Sequence, residues 1–310
     1  MTSGAALVLT VLLSACGSFG ETRSTVVLDT STMAATGAER DAVLLRTPEQ
    51  ESVSIAEAVD QLAAADVVFL GEQHDSPEGH AVQLALTMAL AERRGEIILS
   101  MEMFERDAQR RMDLYLAGVI DEEMFLAGAR AWPNYDPHYR PAVEFARENG
   151  FAVVAGNVYR PIAARVAREG VTAAAGDPWA AQSVDVSKGE YWRRFEDVMG
   201  GGHGDRGGPK LENIYAAQCV KDATMAESIA RALDARGEDA PLVVHWNGAF
   251  HSDFGLGTVE RLRKRRPELN IAVVSMISSR NVHRRLENDE VDKGHFVILV
   301  PEVVKEEVDD

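Results

Sequence analysis

From about residue 54 onward, short apolar runs bounded by turn residues alternate with longer segments of helical periodicity. This alternation is typical of an α/β fold, in which helices connect the strands of a mostly parallel sheet. Most of the runs lack polar alternation, as expected for strands that helices cover on both faces. The six predicted strands are Val67 to Leu70, Glu96 to Met101, Ala152 to Ala155, Leu242 to Trp246, Ile271 to Met276 and Phe296 to Val300.

Helical patterns fill the segments between the strands. The predicted helices cover residues 55–65, 77–94, 106–116, 121–131, 141–148, 161–169, 211–236 and 256–265. Between about 170 and 210, two further patterns, at 178–185 and 190–199, run into a glycine-rich stretch at 200–208, too rich in glycine to form an ordered element alone. We therefore expect a single α/β domain over residues 46–301, flanked by helices and carrying a helical, glycine-rich insertion at about 170–210.

The N-terminus has the pattern of an export signal. Ala5 to Leu13 is almost wholly apolar, too short to span a bilayer but long enough for a signal-peptide core. The run ends at Leu13-Ser14-Ala15-Cys16, which resembles the lipobox of bacterial lipoproteins, where the cysteine is acylated and the peptide before it is removed. Residues 1–15 are therefore predicted to be a lipoprotein signal peptide and Cys16 the lipidated residue. The alternative is an ordinary signal peptide with an unmodified cysteine.

The predicted location is the bacterial cell envelope. Ser18 stands where an inner-membrane retention signal would place Asp, which favours anchoring in the outer membrane. Residues 16–45 are rich in Ser, Thr, Ala and Gly and are predicted to tether the domain to its lipid, and residues 302–310 form an acidic tail. The first four residues carry no Lys or Arg, which leaves a translation start upstream of Met1 open.

Charge and cysteine content exclude two classes of interaction. The formal net charge is −17 at pH 7, which argues against a nucleic-acid partner, because phosphate neutralisation needs basic surface. The only cysteine besides Cys16 is Cys219, so no intramolecular disulfide forms once Cys16 is acylated.

Polar residues follow the predicted strands at the edge where ligands bind in parallel α/β sheets. Glu72 and His74 come directly after the first strand, Glu102 lies at the end of the second, and His251 follows the fourth. Both histidines stand three residues after a glycine. A single histidine at a strand end is more often a hydrogen-bonded structural residue. Two imidazoles and two carboxylates converging on one crevice would suit a divalent metal or acid–base chemistry.

A second group of candidate residues lies on the long predicted helix. Tyr215, Gln218, Asp222 and Met225 fall at positions i, i+3, i+7 and i+10, so they share one face. Three of them are too polar for a plain core face and suit the wall of a binding site. The alternative is a partly buried tyrosine that is hydrogen-bonded near a helix start.

Trp132 to Pro141 is an aromatic, proline-bounded segment with one cation, Arg140. Such a segment could serve a planar ligand with acidic groups, or it could be a rigid loop packed over the sheet edge.

Together, the segments 67–75, 100–104, 139–161, 214–226 and 243–251 resemble the ChaN-like family of haem-binding lipoproteins, which is grouped with the TraB/Tiki and erythromycin-esterase-like proteins. The resemblance spans roughly residues 50 to 280 and extends to the lipobox. It implies a haem-binding lipoprotein involved in haem or iron acquisition, with a tyrosine as axial ligand. The matching residue is Tyr215, with Gln218 and Asp222 on the same helix face.

The chemistry of a haem site adds two expectations. A phenolate oxygen is a hard ligand that suits Fe(III), and the haem propionates need cations, for which Arg140, Arg160 and Arg206 are candidates. One tyrosine leaves the other face of the iron open, so a haem site shared between two protomers of a homodimer remains an open alternative.

The wider superfamily implies a rival function, since its metal-dependent hydrolases use paired Gly-x-x-His motifs and a glutamate. The matching positions are His74, His251 and Glu102, with Glu72 beside them, and the substrate would be a peptide or small ester. One position departs from the pattern: Phe250 stands where relatives often have a second small residue before the histidine, and it would narrow the crevice. A catalytically inactive scaffold that binds a partner through the same crevice is the third alternative.

Overall fold

The computed structural model describes residues 42–199, 210–237 and 240–302. The predicted signal peptide, Cys16, nearly all of the tether, Arg206 in the glycine-rich stretch, and the acidic tail beyond Glu302 lie outside the described residues.

An eight-stranded sheet forms the centre of the domain. Its strands are β1 (Val43–Arg46), β2 (Glu51–Val53), β3 (Val67–Glu72), β4 (Ile97–Glu105), β5 (Ala152–Asn157), β6 (Leu242–Gly248), β7 (Ile271–Ser279) and β8 (Phe296–Pro301). Their order across the sheet is β2-β1-β8-β7-β3-β6-β4-β5. The strands from β3 to β8 pair in parallel, and β1 and β2 extend one edge in antiparallel pairing. The predicted mostly parallel α/β fold is confirmed.

Helices cover both faces of this sheet. They are α1 (Ile55–Leu62), α2 (Pro77–Arg94), α3 (Gln109–Leu116), α4 (Glu122–Ala129), α5 (Arg140–Asn149), α6 (Arg160–Glu169), α7 (Glu190–Met199), α8 (Leu211–Arg236) and α9 (Gly257–Arg265). Val68 and Leu70 of β3 pack in the core that contains α1 to α5, whereas Val67 and Phe69 pack with α8 and α9. Because both faces are covered, every residue of β3 is buried, which explains the lack of polar alternation.

Local signals set the starts of the first two helices. Ser54 caps α1, accepting a hydrogen bond from the backbone N–H of Glu57 in a capping box. The Ser76 side chain accepts from the Gly79 N–H, and Pro77 occupies the first turn of α2, where its missing N–H has no helical acceptor to lose. α2 therefore begins only five residues after β3 ends, which holds the intervening loop at the carboxyl edge of the sheet.

The predicted insertion contains one of its two expected helices. Residues 190–199 form α7, but residues 178–185 are irregular. The backbone N–H groups of Ala181 and Gln182 donate to the Thr224 hydroxyl and the Glu227 carboxylate of α8. These side-chain acceptors satisfy the backbone donors in place of helical hydrogen bonds. In the described ranges, no helix is long and apolar enough to cross a membrane.

Candidate functional site

The parallel register brings the polar ends of three strands to one edge of the sheet. Glu72, the last residue of β3, pairs with Gly248, the last residue of β6. β4 is the other neighbour of β6 and places Glu102 one residue beyond its last β6 pair, Met101 with Trp246. The Gly248 N–H donates to Glu102 Oε2 at 2.8 Å. The strand ends therefore form the floor of one crevice, as predicted for a parallel sheet.

Glu72 is buried and accepts hydrogen bonds from side chains of two different segments. The Tyr139 hydroxyl donates to its Oε1 at 2.7 Å, and His74 Nδ1 lies 2.8 Å from the same oxygen. His80 Nδ1, on α2, lies 3.3 Å from Oε2. Burial alone would raise the pKa of Glu72, but the hydrogen bond with His74 and the close approach of His80 outweigh it and hold that pKa below its ordinary value. Glu72 is thus a fixed carboxylate behind the crevice.

His74 presents its other ring nitrogen on the crevice side. Glu72 is ionised and can only accept, so Nδ1 of His74 carries a proton. The side chain of His74 is 44% exposed and its ring meets Trp132 edge-on, with the centroids 4.9 Å apart. Burial alone would lower the pKa of His74, but the hydrogen bond to Glu72 and the charge of Glu102 raise it above its ordinary value. This imidazole is therefore more readily protonated near neutral pH than a free one.

His251 lies between two buried carboxylates. Its Nε2 is 3.1 Å from Glu102 Oε1, and its Nδ1 is 2.7 Å from Asp222 Oδ1. Burial alone would lower the pKa of His251, but the two carboxylates raise it to about 10. Both ring nitrogens of His251 are therefore protonated and occupied at neutral pH, which leaves it no lone pair for a metal or for general-base chemistry.

The predicted face of α8 is built around a residue that sequence reasoning did not single out, Tyr191 of α7. Its hydroxyl donates to Asp222 Oδ2 at 2.7 Å and accepts from Gln218 Nε2 at 3.3 Å, and its ring lies 5.9 Å from that of Tyr215. The Thr258 hydroxyl also donates to Asp222. The polar stripe of α8 thus faces α7 and His251, and it joins the helix to the strand-end network.

A polar crevice of about 460 Å³ opens above this network. It is lined by His74, Glu102, Glu105, Trp132, Asn157, Val158, Arg160, Ala163, Gln218, Lys221 and His251. His74, Glu102 and His251, predicted from separate motifs, therefore share one cavity wall, and Gln218 joins them from α8. Glu72 and Asp222 stand behind this wall, holding the two imidazoles.

An apolar cavity of about 490 Å³ adjoins the polar crevice, and both volumes are in the usual range for small-molecule sites. Its lining is Arg160, Ala163, Ala164, Ala167, Phe195, Val198, Met199, Ile214, Ala217, Gln218, Lys221 and Phe250. Arg160, Ala163, Gln218 and Lys221 line both spaces. A ligand at this junction would meet an apolar wall on one side and charged groups on the other.

The two cations at the junction differ in their partners. Arg160 lies 3.4 Å from Glu105, but its side chain is 66% exposed, so that pair is weak. Lys221 forms no ion pair with any residue of the described ranges. It was not predicted, although it stands one helical turn after Gln218, and that spacing could have identified it.

Besides Asp222, which stands behind the crevice wall, two predicted cofactor-binding residues line neither cavity. The Tyr215 hydroxyl donates to the carbonyl of Ser187 at 3.0 Å, and its ring packs against Trp192 and Phe195 of α7. Burial raises the pKa of the Tyr215 phenol above its ordinary value. Arg140 forms a bidentate ion pair with Glu122, in which its Nε and Nη2 donate to the two carboxylate oxygens at 2.6 and 2.9 Å. Neither side chain lies where a ligand in the two cavities would meet it.

Two more residues of the site carried little signal in the sequence. His80 lies in the first turn of α2 and looks like an ordinary polar residue near a helix start. Tyr139 lies in the aromatic segment, which forms a π-helical turn over the sheet edge.

Within residues 42–199, 210–237 and 240–302, no group of three or more His, Cys, Asp or Glu side chains is arranged to hold a metal ion. The divalent metal of the hydrolase alternative therefore has no support here.

Comparisons with known proteins agree with this architecture. Residues 58–262 match the family described as haem-binding uptake, Tiki superfamily, ChaN. Among solved structures, the chain is similar to ChaN of Campylobacter jejuni, whose structure shows cofacial haem binding, with a TM-score of 0.63 and 16% identity. That match covers 84% of this chain and 97% of the other. At this identity it establishes the fold.

Weaker similarities extend to the erythromycin esterase EreC and the type III effector HopBA1. A mutant of EreC in its open conformation matches with a TM-score of 0.44 and 13% identity, over 76% of this chain and 77% of the other. HopBA1 matches with a TM-score of 0.44 and 11% identity, over 80% and 94% of the two chains. A search of curated proteins finds no significant match.

Proposed function

The chain belongs to the haem-binding uptake ChaN family of the Tiki superfamily, and from this premise we propose that it binds haem at the junction of the two cavities. The observation that carries the proposal is Lys221. It is a cation without an ion-pair partner among the described residues, and it stands at the edge of an apolar cavity. A haem has the complementary chemistry, because a flat apolar macrocycle carries two carboxylates along one edge.

The lining fits the macrocycle and the propionates. Alanines of α6, Ile214 of α8 and the rings of Phe195 and Phe250 would contact the porphyrin. Lys221 and Arg160 would bind the propionates, since charge-assisted hydrogen bonds are strong and a propionate can replace Glu105 as the partner of the exposed Arg160 side chain. Bound haem supplies an iron that accepts axial ligands, and the predicted ligand, Tyr215, does not line this space.

We further propose that the bound haem serves haem or iron acquisition at the cell envelope. The support is the lipobox-like tetrad ending at Cys16, which would anchor the domain beside the outer membrane once the cysteine carries more than one acyl chain. We expect the wild-type chain to incorporate radioactive palmitate and the Cys16→Ser variant to lose this labelling. Labelling that persists in Cys16→Ser would contradict the proposed anchor.

A haem titration of the full chain tests the binding proposal. We expect a saturable change of the Soret band, and we expect Arg160→Ala with Lys221→Ala to weaken binding by about tenfold or more, since about 1.4 kcal/mol corresponds to tenfold. Arg236→Ala is the matched control, because Arg236 pairs with Glu96 beside the amino end of β4, at the opposite edge of the sheet. A spectrum that does not saturate, or equal losses in both variants, would refute the proposal.

Acid–base hydrolysis is a second candidate, favoured by one observation. His74 has Nδ1 fixed by Glu72 and its Nε2 close to Gly248, in the crevice that Glu102 also lines, so a single ring nitrogen remains for proton transfer there. This candidate predicts turnover of small esters or peptides that is lost in both His74→Ala and Glu72→Gln. Turnover retained in both variants, or none with any ester or peptide of a broad panel, would dismiss it.

A further inference from the structure

Among the described residues, no tyrosine, histidine or cysteine side chain lines the apolar cavity, whereas groups that recognise a porphyrin edge and its carboxylates do. Resting on the proposed haem binding, we propose that the site recognises the macrocycle and its two carboxylates rather than the iron. The ligand class would then be dicarboxylic tetrapyrroles, with or without a central metal.

The first step of this inference concerns the buried tyrosines. Ligation of Fe(III) by tyrosine requires the phenolate. The Tyr215 hydroxyl instead donates a hydrogen bond to the Ser187 carbonyl oxygen, which can only accept. Tyr191 donates to Asp222, and Tyr139 donates to Glu72. A phenolate at any of these places would face a carbonyl or carboxylate oxygen, and burial opposes its charge.

The second step concerns the histidines of the adjoining crevice. Both ring nitrogens of His251 are occupied by carboxylates. Nδ1 of His74 is held by Glu72, and its Nε2 lies beside Gly248 in the polar crevice. Neither imidazole lines the apolar cavity in which the macrocycle would lie.

The third step concerns the sulfur that does line the cavity. Met199, at the end of α7, offers a thioether, which is a soft ligand and poorly matched to ferric iron. The remaining lining is alanine, isoleucine, valine and phenylalanine, together with Gln218, Arg160 and Lys221. Apolar and aromatic surface contacts every porphyrin equally, and the two cations contact any carboxylate. The affinity for a porphyrin would therefore depend on its macrocycle and its two carboxylates, and not on a central metal.

Three porphyrins separate these contributions in binding to the full chain: ferric haem, metal-free protoporphyrin IX and ferric haem dimethyl ester. We expect haem and protoporphyrin to bind within about threefold of each other, and the diester to bind at least about tenfold more weakly. Quenching of tryptophan fluorescence reports all three, because Trp192 packs with Phe195 of the cavity wall.

Two variants complete the test. The double variant Arg160→Ala with Lys221→Ala should weaken the binding of haem and of protoporphyrin by the same factor. Tyr215→Phe should leave the affinities for both ligands and the Soret band of bound haem unchanged. Haem that binds more than about tenfold tighter than protoporphyrin, or a Soret band that shifts in Tyr215→Phe, would overturn the inference while leaving haem binding intact. Failure of all three porphyrins to bind would overturn the proposed function itself, so the two failures are distinguishable.

Discussion

Nε2 of His74 lies against the backbone of Gly248, the residue that pairs with Glu72 at the end of β3. A Cβ built on Gly248 would be 2.7 Å from Nε2 and 2.8 Å from Cε1 of the same ring. Gly248 has backbone angles that any residue adopts, φ −60° and ψ 135°, so the need for glycine here comes from the imidazole and not from the turn. The strand end is thus shaped to admit the His74 ring.

Gly248→Ala should therefore displace His74 and weaken its hydrogen bond to Glu72. Because the added methyl group meets a ring that is held on its far side, we expect a loss of about 1–3 kcal/mol in the free energy of unfolding, measured by urea denaturation. Gly189→Ala is the control, since a Cβ there meets nothing within 4 Å. Equal stability of the two variants would show that His74 moves freely and that the contact imposes no constraint.

The position of His251 between two carboxylates predicts a pH dependence of stability. Its pKa is raised from 6.5 to about 10 in the folded chain, so its contribution is fully present below pH 6.5 and is lost as pH rises through 10. We expect His251→Gln to lower the free energy of unfolding by on the order of a few kcal/mol at pH 6. The difference from the wild type should shrink steadily toward pH 10.

Urea midpoints at pH 6, 8 and 10 measure this difference. His283→Gln, which changes an exposed histidine, serves as the control and should cost the same small amount at each pH. A stability difference for His251→Gln that is constant over this range would mean that His251 is not charged between Glu102 and Asp222.

The Tyr139 hydroxyl should stabilise the buried Glu72 carboxylate. Tyr139→Phe keeps the ring but removes one of the donors to Oε1, and a buried charged acceptor that loses a donor costs about 1–3 kcal/mol. Thermal or urea unfolding at pH 7 measures the loss. Tyr159→Phe is the control, because its ring contacts Arg130 through a face that the substitution preserves. If both variants unfold alike, the Tyr139 hydrogen bond contributes nothing net.

Much of the fold could be predicted from the sequence because strands buried on both faces must be apolar throughout. The predicted strands stop early at polar residues, yet Glu72 still pairs with Gly248 in the ladder. Backbone pairing does not depend on side-chain polarity, so hydropathy underestimates the length of a strand that ends in a site. The two antiparallel strands β1 and β2 are only four and three residues long, too short to give a periodic signal.

The site could be predicted in part. The ends of parallel strands must meet at one edge, which brought Glu72, His74, Glu102 and His251 together. Which neighbouring element a helix face packs against depends on residues far away in the sequence, as Tyr215 shows. Its stripe on α8 was recognised, but whether the stripe faced a cavity or another helix depended on where α7 packs, and α7 covers it.

The apolar cavity gives a last prediction that needs no change of charge. Ala164 lines that cavity from α6 and is exposed, so Ala164→Trp would fill the space without disturbing the core beneath. We expect haem affinity to fall by about tenfold or more, with little change in the unfolding midpoint, because the indole occupies volume that the macrocycle needs. Ala127→Trp, at an exposed alanine of α4 that lines neither cavity, should bind haem like the wild type. If Ala164→Trp binds haem normally, the ligand lies elsewhere, and the polar crevice alone becomes the site to examine.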